Sequence, residues 1–120
     1  MNAILSIKPE YVSKIKKGNK KFEFRKSRYR ECEKIFVYET VPTKMITLIL
    51  EFDKPIVDTP LRIWEDCNKH AGISKKDFFD YYEGRDIAYA YPITKVEEVN
   101  IDPYTVRDGF KAPQSIIYIK

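Results

Sequence analysis

The stretch Gly18-Asn19-Lys20-Lys21-Phe22-Glu23-Phe24-Arg25 puts a glycine, two lysines, a carboxylate and an arginine within eight positions. On an extended chain Glu23 and Arg25, two apart, share a face. An arginine fork holds a phosphate or carbonyl oxygen. A lysine supplies a point charge, or a base where burial lowers its pKa. A glutamate accepts an amino or ribose proton, or acts as general base. Together these are the parts of a small anion site, with Lys20 and Glu23 as candidate catalytic groups and Arg25 as a candidate ligand-binding group. Strict alternation places Lys21 on the face of Glu23 and Arg25. Lys20 joins them only if the turn after Gly18 interrupts the alternation, which a glycine permits, and we favour Lys20 on that ground. The ligand-free alternative is a solvated Glu23–Arg25 pair, worth about 0–1 kcal/mol.

The charge around this stretch is lopsided. The 120 residues carry a formal charge of +4, but the window from Lys14 to Arg30 holds nine basic residues against Glu23 alone. That window is at +8 and the remainder at −4. A concentrated positive field steers polyanions inward. Phe22, Phe24 and Tyr29 stand among the cations, as base stacking requires, although Phe22 and Phe24 also suit a core. Secondary ligand-binding candidates are Ser6 and Lys8 at the end of the first strand, Tyr38 as a stacking ring, and Gln114 with Ser115. Trp64, Tyr81 and Tyr82 sit at helical spacing and read as core.

Other chemistries are poorly provided for. A zinc site needs three or four suitably spaced N, S or O ligands, and Cys32, Cys67 and His70 make no such motif. No metal or cofactor is expected. The four glycines are isolated, so there is no phosphate-cradling loop. The two cysteines lack Cys-x-x-Cys spacing and read as reduced thiols of a cytoplasmic protein. No apolar run approaches the roughly 20 residues of a membrane span, and the N-terminus has no signal-peptide pattern.

The elements that must position these residues follow from periodicity. Ile4–Lys8 alternates as a strand, Pro9 suits a first helical position, and Tyr11, Val12 and Ile15 form a helical stripe ended by Gly18. Lys21–Lys26, Lys34–Glu39 and Met45–Phe52 are further strands, the last with the apolar run of a buried one. Pro55 and Pro60 mark a loop. Thr59-Pro60 opens a helix stopped by Gly72, and Ser74 with Asp77 resembles a capping box before a short helix bearing Phe78. Ile87–Ile93, with Pro92 suggesting an edge position, Lys95–Val99 and Ile116–Ile119 complete six or seven strands with three short helices. Without regular crossover helices the pattern predicts an α+β chain, a mixed β-barrel of about six strands with short flanking helices, in one domain spanning 1–120.

The segment Gly18–Arg25 fits Gly-x-Lys-x-x-Glu-x-Arg, preceded by Leu5-Ser6-Ile7-Lys8-Pro9 and followed near the end by Ala112-Pro113-Gln114-Ser115 and a strand with Tyr118. In these features the chain resembles the ASCH-domain family of the PUA-like superfamily. The resemblance implies a PUA-like barrel with a cleft beside the motif, and RNA or a modified nucleoside as partner. It further implies three classes of work: binding of such a ligand, hydrolysis as a metal-independent ribonuclease or N4-acetylcytidine amidohydrolase, or protein interaction of a transcription-coactivator type. The amidohydrolases place threonine where Glu23 stands, and Glu23 has no hydroxyl for the lysine matched by Lys20 to activate; with that threonine missing and no histidine available, binding is favoured over catalysis. Oligomeric state is not legible from the residues.

Overall fold

The computed structural model describes residues 1–120. Seven strands and four short α-helices follow one another as β1 (Asn2–Ile7), α1 (Pro9–Lys16), β2 (Phe22–Arg25), β3 (Ile35–Glu39), β4 (Met45–Phe52), β5 (Ile56–Asp58), α2 (Pro60–Cys67), α3 (Lys75–Tyr81), β6 (Ala88–Ile101), α4 (Pro103–Val106) and β7 (Ile116–Ile119). The strands form a mixed sheet in the order β2-β6-β4-β3-β1-β7, with β5 pairing β6 as well. It curls into a half-barrel of PUA-like form. The β1–β3 pair is parallel and every other pairing is antiparallel.

The helix starts obey their local chemistry. Pro9 and Pro60 occupy first helical positions, where a missing N–H costs nothing. Thr59 and Ser74 accept hydrogen bonds from the backbone N–H of Arg62 and Asp77. Ser74 thus caps α3 as the spacing predicts. The fourth helix, capped by Asp102 through the N–H of Tyr104, was not among the predicted elements; at four residues it is too short to show a periodicity. Residues 56–58, read as loop, form the short strand β5.

The largest correction concerns Pro92. The two strands expected on either side of it are one 14-residue strand, β6, and Pro92 lies inside it rather than at an edge. Its N-terminal part pairs with β2 on one side and β5 on the other, and its C-terminal part pairs with β4. Pro92 falls where β6 exchanges neighbours, beside a register shift between Glu51 and Phe52. Its carbonyl still accepts from the Asp53 N–H at 2.9 Å. A strand interior tolerates proline only where no ladder bond is asked of its nitrogen, and this exchange point is such a place.

Two cores lie on either side of that exchange. One, inside the half-barrel, contains Leu5, Ile7, Val12, Ile15, Val37, Leu48 and Leu50. The other, between the β2–β6 ladder and helices α2 and α3, contains Phe24, Ile63, Cys67, Phe78 and Tyr82. Ile4 joins a third, small cluster with Tyr38 and Phe110, so β1 is covered on both faces. This is why Ala3, Ile4 and Leu5 are all fully buried despite the alternation. Trp64 and Tyr82 belong to the second core's aromatic set, Trp64 and Tyr82 packing on Phe78 at 5.1 and 4.9 Å between ring centroids. The Tyr82 hydroxyl donates to the Arg25 carbonyl at 2.9 Å and ties the end of β2 to α3. Tyr82→Phe keeps the ring and removes that bond, and is expected to cost about 1 kcal/mol in urea unfolding. An unchanged midpoint would show that the end of β2 is held by other contacts.

Candidate functional site

A cavity of about 640 Å³ opens at the seam between the two large cores. Its walls come from the end of β1 and start of α1, from Lys20 and β2, from α3, and from the segment before β7. Since β2 and β7 are the two ends of the sheet order and do not pair, the site occupies the gap the half-barrel leaves open. Arg25 reaches across that gap, its guanidinium donating to the Ser115 hydroxyl at 3.2 Å.

Lys20, Glu23 and Arg25 all line the cavity, and Lys21 does not. Strict alternation does not extend back to Lys20 and Lys21. Strand β2 begins at Phe22, so Lys20 still belongs to the turn that ends α1. Gly18 takes φ +79°, and the N–H groups of Asn19 and Lys20 both donate to the Lys14 carbonyl. The backbone of Lys21 is already bound on both sides, its N–H to the His70 carbonyl and its carbonyl to the Ile93 N–H. Its side chain is exposed.

Lys20 is 4% exposed. Its ammonium donates to the Ala71 carbonyl at 2.9 Å and lies 4.9 Å from the Phe24 ring centroid and 5.4 Å from that of Tyr11. Burial holds its pKa below the ordinary lysine value; Arg25 and Lys14 push the same way, and Glu23 opposes them. Gly72 makes this placement feasible. It has φ +65°, and a Cβ there would overlap the Lys20 Cβ, lie 2.7 Å from its Cγ and lie 3.1 Å from its Cα. The Gly72 carbonyl in turn accepts from Lys14 at 3.1 Å. Carbonyls 70, 71 and 72, where the α2 segment ends, are thus all spent on holding the Lys14–Lys21 segment.

Glu23 is 6% exposed and meets Arg25 at 3.4 Å. Burial works against the Arg25 charge, but Glu23, Tyr29 and Tyr81 outweigh it and raise its pKa. The Arg25 Nε is buried without a hydrogen-bond partner. Buried polar groups are nearly always satisfied, so the guanidinium holds unused donor capacity.

The secondary candidates divide. Ser6, Lys8 and Gln114 line the cavity, with the Ser6 hydroxyl committed to the Pro113 carbonyl at 2.7 Å. Ser115 is engaged through Arg25. Tyr38 does not reach the cavity: it is 8% exposed and packs on Phe110 at 5.0 Å, because its β-strand position points into the small cluster behind β1. Tyr81, read as core, lines the cavity instead. Sequence reasoning also passed over Tyr11, Asp77 and Asp80, which line it as well. The spacing of Asp77, Asp80 and Tyr81 on one face of α3 was the available signal. Of the nine basic residues in the Lys14–Arg30 window, only Lys20 and Arg25 face the cavity. With Lys8 they are set against the carboxylates of Glu10, Glu23, Asp77 and Asp80, so the lining carries both signs. No three His, Cys, Asp or Glu side chains converge as metal ligands do. No helix is long and apolar enough to cross a membrane.

A half-barrel of this strand order, with a polar cavity in its open seam, defines a PUA-like domain. The ASCH domain model matches residues 5–100, and the chain belongs to that family. The ASCH domain-containing ribonuclease of Zymomonas mobilis is 25% identical over 124 residues, covering 98% of this chain and 84% of that protein. A large ribosomal subunit protein uL22 of Ureaplasma parvum is 30% identical over 88 residues, 72% of this chain but 28% of its own length. Among solved structures, the crystal structure of ASCH from Zymomonas mobilis superimposes with a TM-score of 0.89 at 24% identity, covering 99% of this chain and 87% of that one.

Proposed function

We propose that this chain binds single-stranded RNA in the seam cavity and cleaves it there without a metal, Glu23 acting as base and Lys20 and Arg25 as the cationic partners. The observation that carries the reading is the convergence of a buried lysine, a buried carboxylate and an arginine on one cavity wall. The name of the Zymomonas mobilis relative supports the choice of RNA.

In the proposed step Glu23 takes the proton of a ribose 2′-hydroxyl. The 2′-oxygen bonds to the adjacent phosphorus, and the bond from phosphorus to the 5′-oxygen breaks. That oxygen takes a proton from water as it leaves, Glu23 returns its captured proton to solvent, and the products are a 2′,3′-cyclic phosphate and a 5′-hydroxyl. Negative charge grows on the non-bridging oxygens meanwhile, and preorganised cations in a site shielded from water stabilise it. Glu23→Gln keeps the shape and removes the base, so cleavage of an oligoribonucleotide is expected to slow by about 10²–10³-fold. A substrate with 2′-deoxyribose at the scissile position is expected to stay intact. Undiminished cleavage by Glu23→Gln would remove Glu23 from the chemistry.

A second reading is binding of RNA or a modified nucleoside without cleavage. It draws on the Glu23–Arg25 contact, which already engages the carboxylate. Saturable binding with intact RNA after prolonged incubation would establish it.

A further inference from the structure

A second cavity, of about 540 Å³, lies beyond the end of β2. Its apolar floor includes Ile35, Phe52 and Tyr91, and its rim carries Arg28, Arg30 and Lys54 with Glu31 and Asp53. The two cavities share a partition. Arg25, on the wall of the first, has its guanidinium 5.8 Å from the Tyr29 ring centroid. Tyr29, on the wall of the second, stacks on Tyr91 at 5.1 Å and 15°. Tyr91 in turn meets Phe52 at 5.5 Å.

The loop that makes this partition is fixed by tyrosines. The backbone N–H of Tyr29 donates to the Tyr91 hydroxyl at 2.6 Å, and that of Arg30 to the Tyr118 hydroxyl at 3.0 Å. Lys26, Arg28 and Arg30 alternate along it, each over a different ring, Tyr81, Tyr89 and Tyr118. None of the three is in an ion pair, and all three are exposed. Cations propped on aromatic faces lose little freedom when an anion arrives.

We infer that the second cavity takes a neighbouring nucleotide of the same RNA strand, its base against Phe52, which the buried Tyr91 backs, and its phosphate on Arg28 and Arg30. The inference rests on the RNA reading above and deepens it: the ligand is an oligonucleotide that crosses the Tyr29 partition, and a lone nucleoside fills half the site. Aromatic floors with basic rims are how single strands are held without a sequence code.

The test measures the dissociation constant of fluorescein-labelled octauridylate with 2′-O-methyl riboses, which the proposed step leaves intact, over a range of salt concentrations. The proteins compared are wild type, Arg28→Ala/Arg30→Ala, Arg28→Lys/Arg30→Lys, and a control losing the same charge elsewhere, Lys69→Ala/Lys120→Ala. Single strands lose about 0.7 in log–log salt slope per phosphate contact removed. The double alanine variant gives up its hold on that one phosphate and is therefore expected to lose about 0.7 in slope and at least tenfold in affinity at low salt. The lysine pair should restore most of the slope, and the control should keep it. An unchanged slope in the alanine pair, or an equal fall in the control, overturns the second subsite while leaving the first cavity's reading intact. Absence of any octauridylate binding by wild type overturns both.

Discussion

Replacing Gly72 by alanine is expected to lower stability by about 2–5 kcal/mol and to remove RNA cleavage. Two costs combine. A residue with a Cβ held at φ +65° pays about 1–2 kcal/mol, and overpacking a filled site adds about 1–3 kcal/mol. The clash falls on the Cβ, Cγ and Cα of Lys20, so relief requires the backbone at Lys20 to move and takes its ammonium off the Ala71 carbonyl. Gly84 supplies the control. It has φ +75°, but a Cβ there meets nothing within 4 Å. Gly84→Ala therefore carries only the conformational cost and leaves the cavity untouched. Urea unfolding of the two variants, with cleavage assayed on each, separates backbone strain from the collision. Equal losses at the two glycines would mean that Gly72 does not act through Lys20.

Removing the charge at Lys20 is expected to slow RNA cleavage by at least about 100-fold. Lys20→Met preserves length and suits the aromatic surroundings, so the fold should survive, and relief of a buried charge offsets the lost hydrogen bond. Lys21→Met, on an exposed side chain one position away, is expected to change the rate less than about threefold, within the range of a surface charge. Matching effects at the two lysines would make the contribution one of diffuse charge. Titration gives a further check. Folding lowers the Lys20 pKa below 10.5. Through that interval the unfolded chain keeps a proton that the folded chain has released. Stability therefore rises with pH there, and the gain is complete above 10.5. Cleavage that needs the ammonium falls over the same interval. In Glu23→Gln the residual activity should fall at lower pH still, because the Glu23 charge supports the protonated amine. A pH–rate profile of wild type and Lys20→Arg tests this, since an arginine stays charged and should lose that limb.

What was readable in the residues was mostly local. Helix starts at Pro9, Thr59 and Ser74 lie where a cap or a missing N–H makes them favourable, and such preferences need no distant partner. The Gly18–Arg25 motif was legible because its residue types suit one chemistry within a few positions, and all three of Lys20, Glu23 and Arg25 reach the same cavity. Pro92 was misread because a proline signals a missing ladder bond but not which neighbour would have made it. Only the exchange of β5 for β4 along β6 shows that none is missed.

The amino-acid sequence by itself determined which groups are available: a lysine, a carboxylate and an arginine just past a glycine turn, in a window far more basic than the rest. Tertiary structure decided which of them meet. Lys20 rather than Lys21 is buried because carbonyls 70 and 71, some fifty residues later, take the Lys21 N–H and the Lys20 ammonium, and because Gly72 leaves room for the side chain. The acids of α3 enter the same cavity, and most of the basic window stays outside it. Burial and charge pairing depend on contacts between segments far apart in the chain, and no local pattern encodes them.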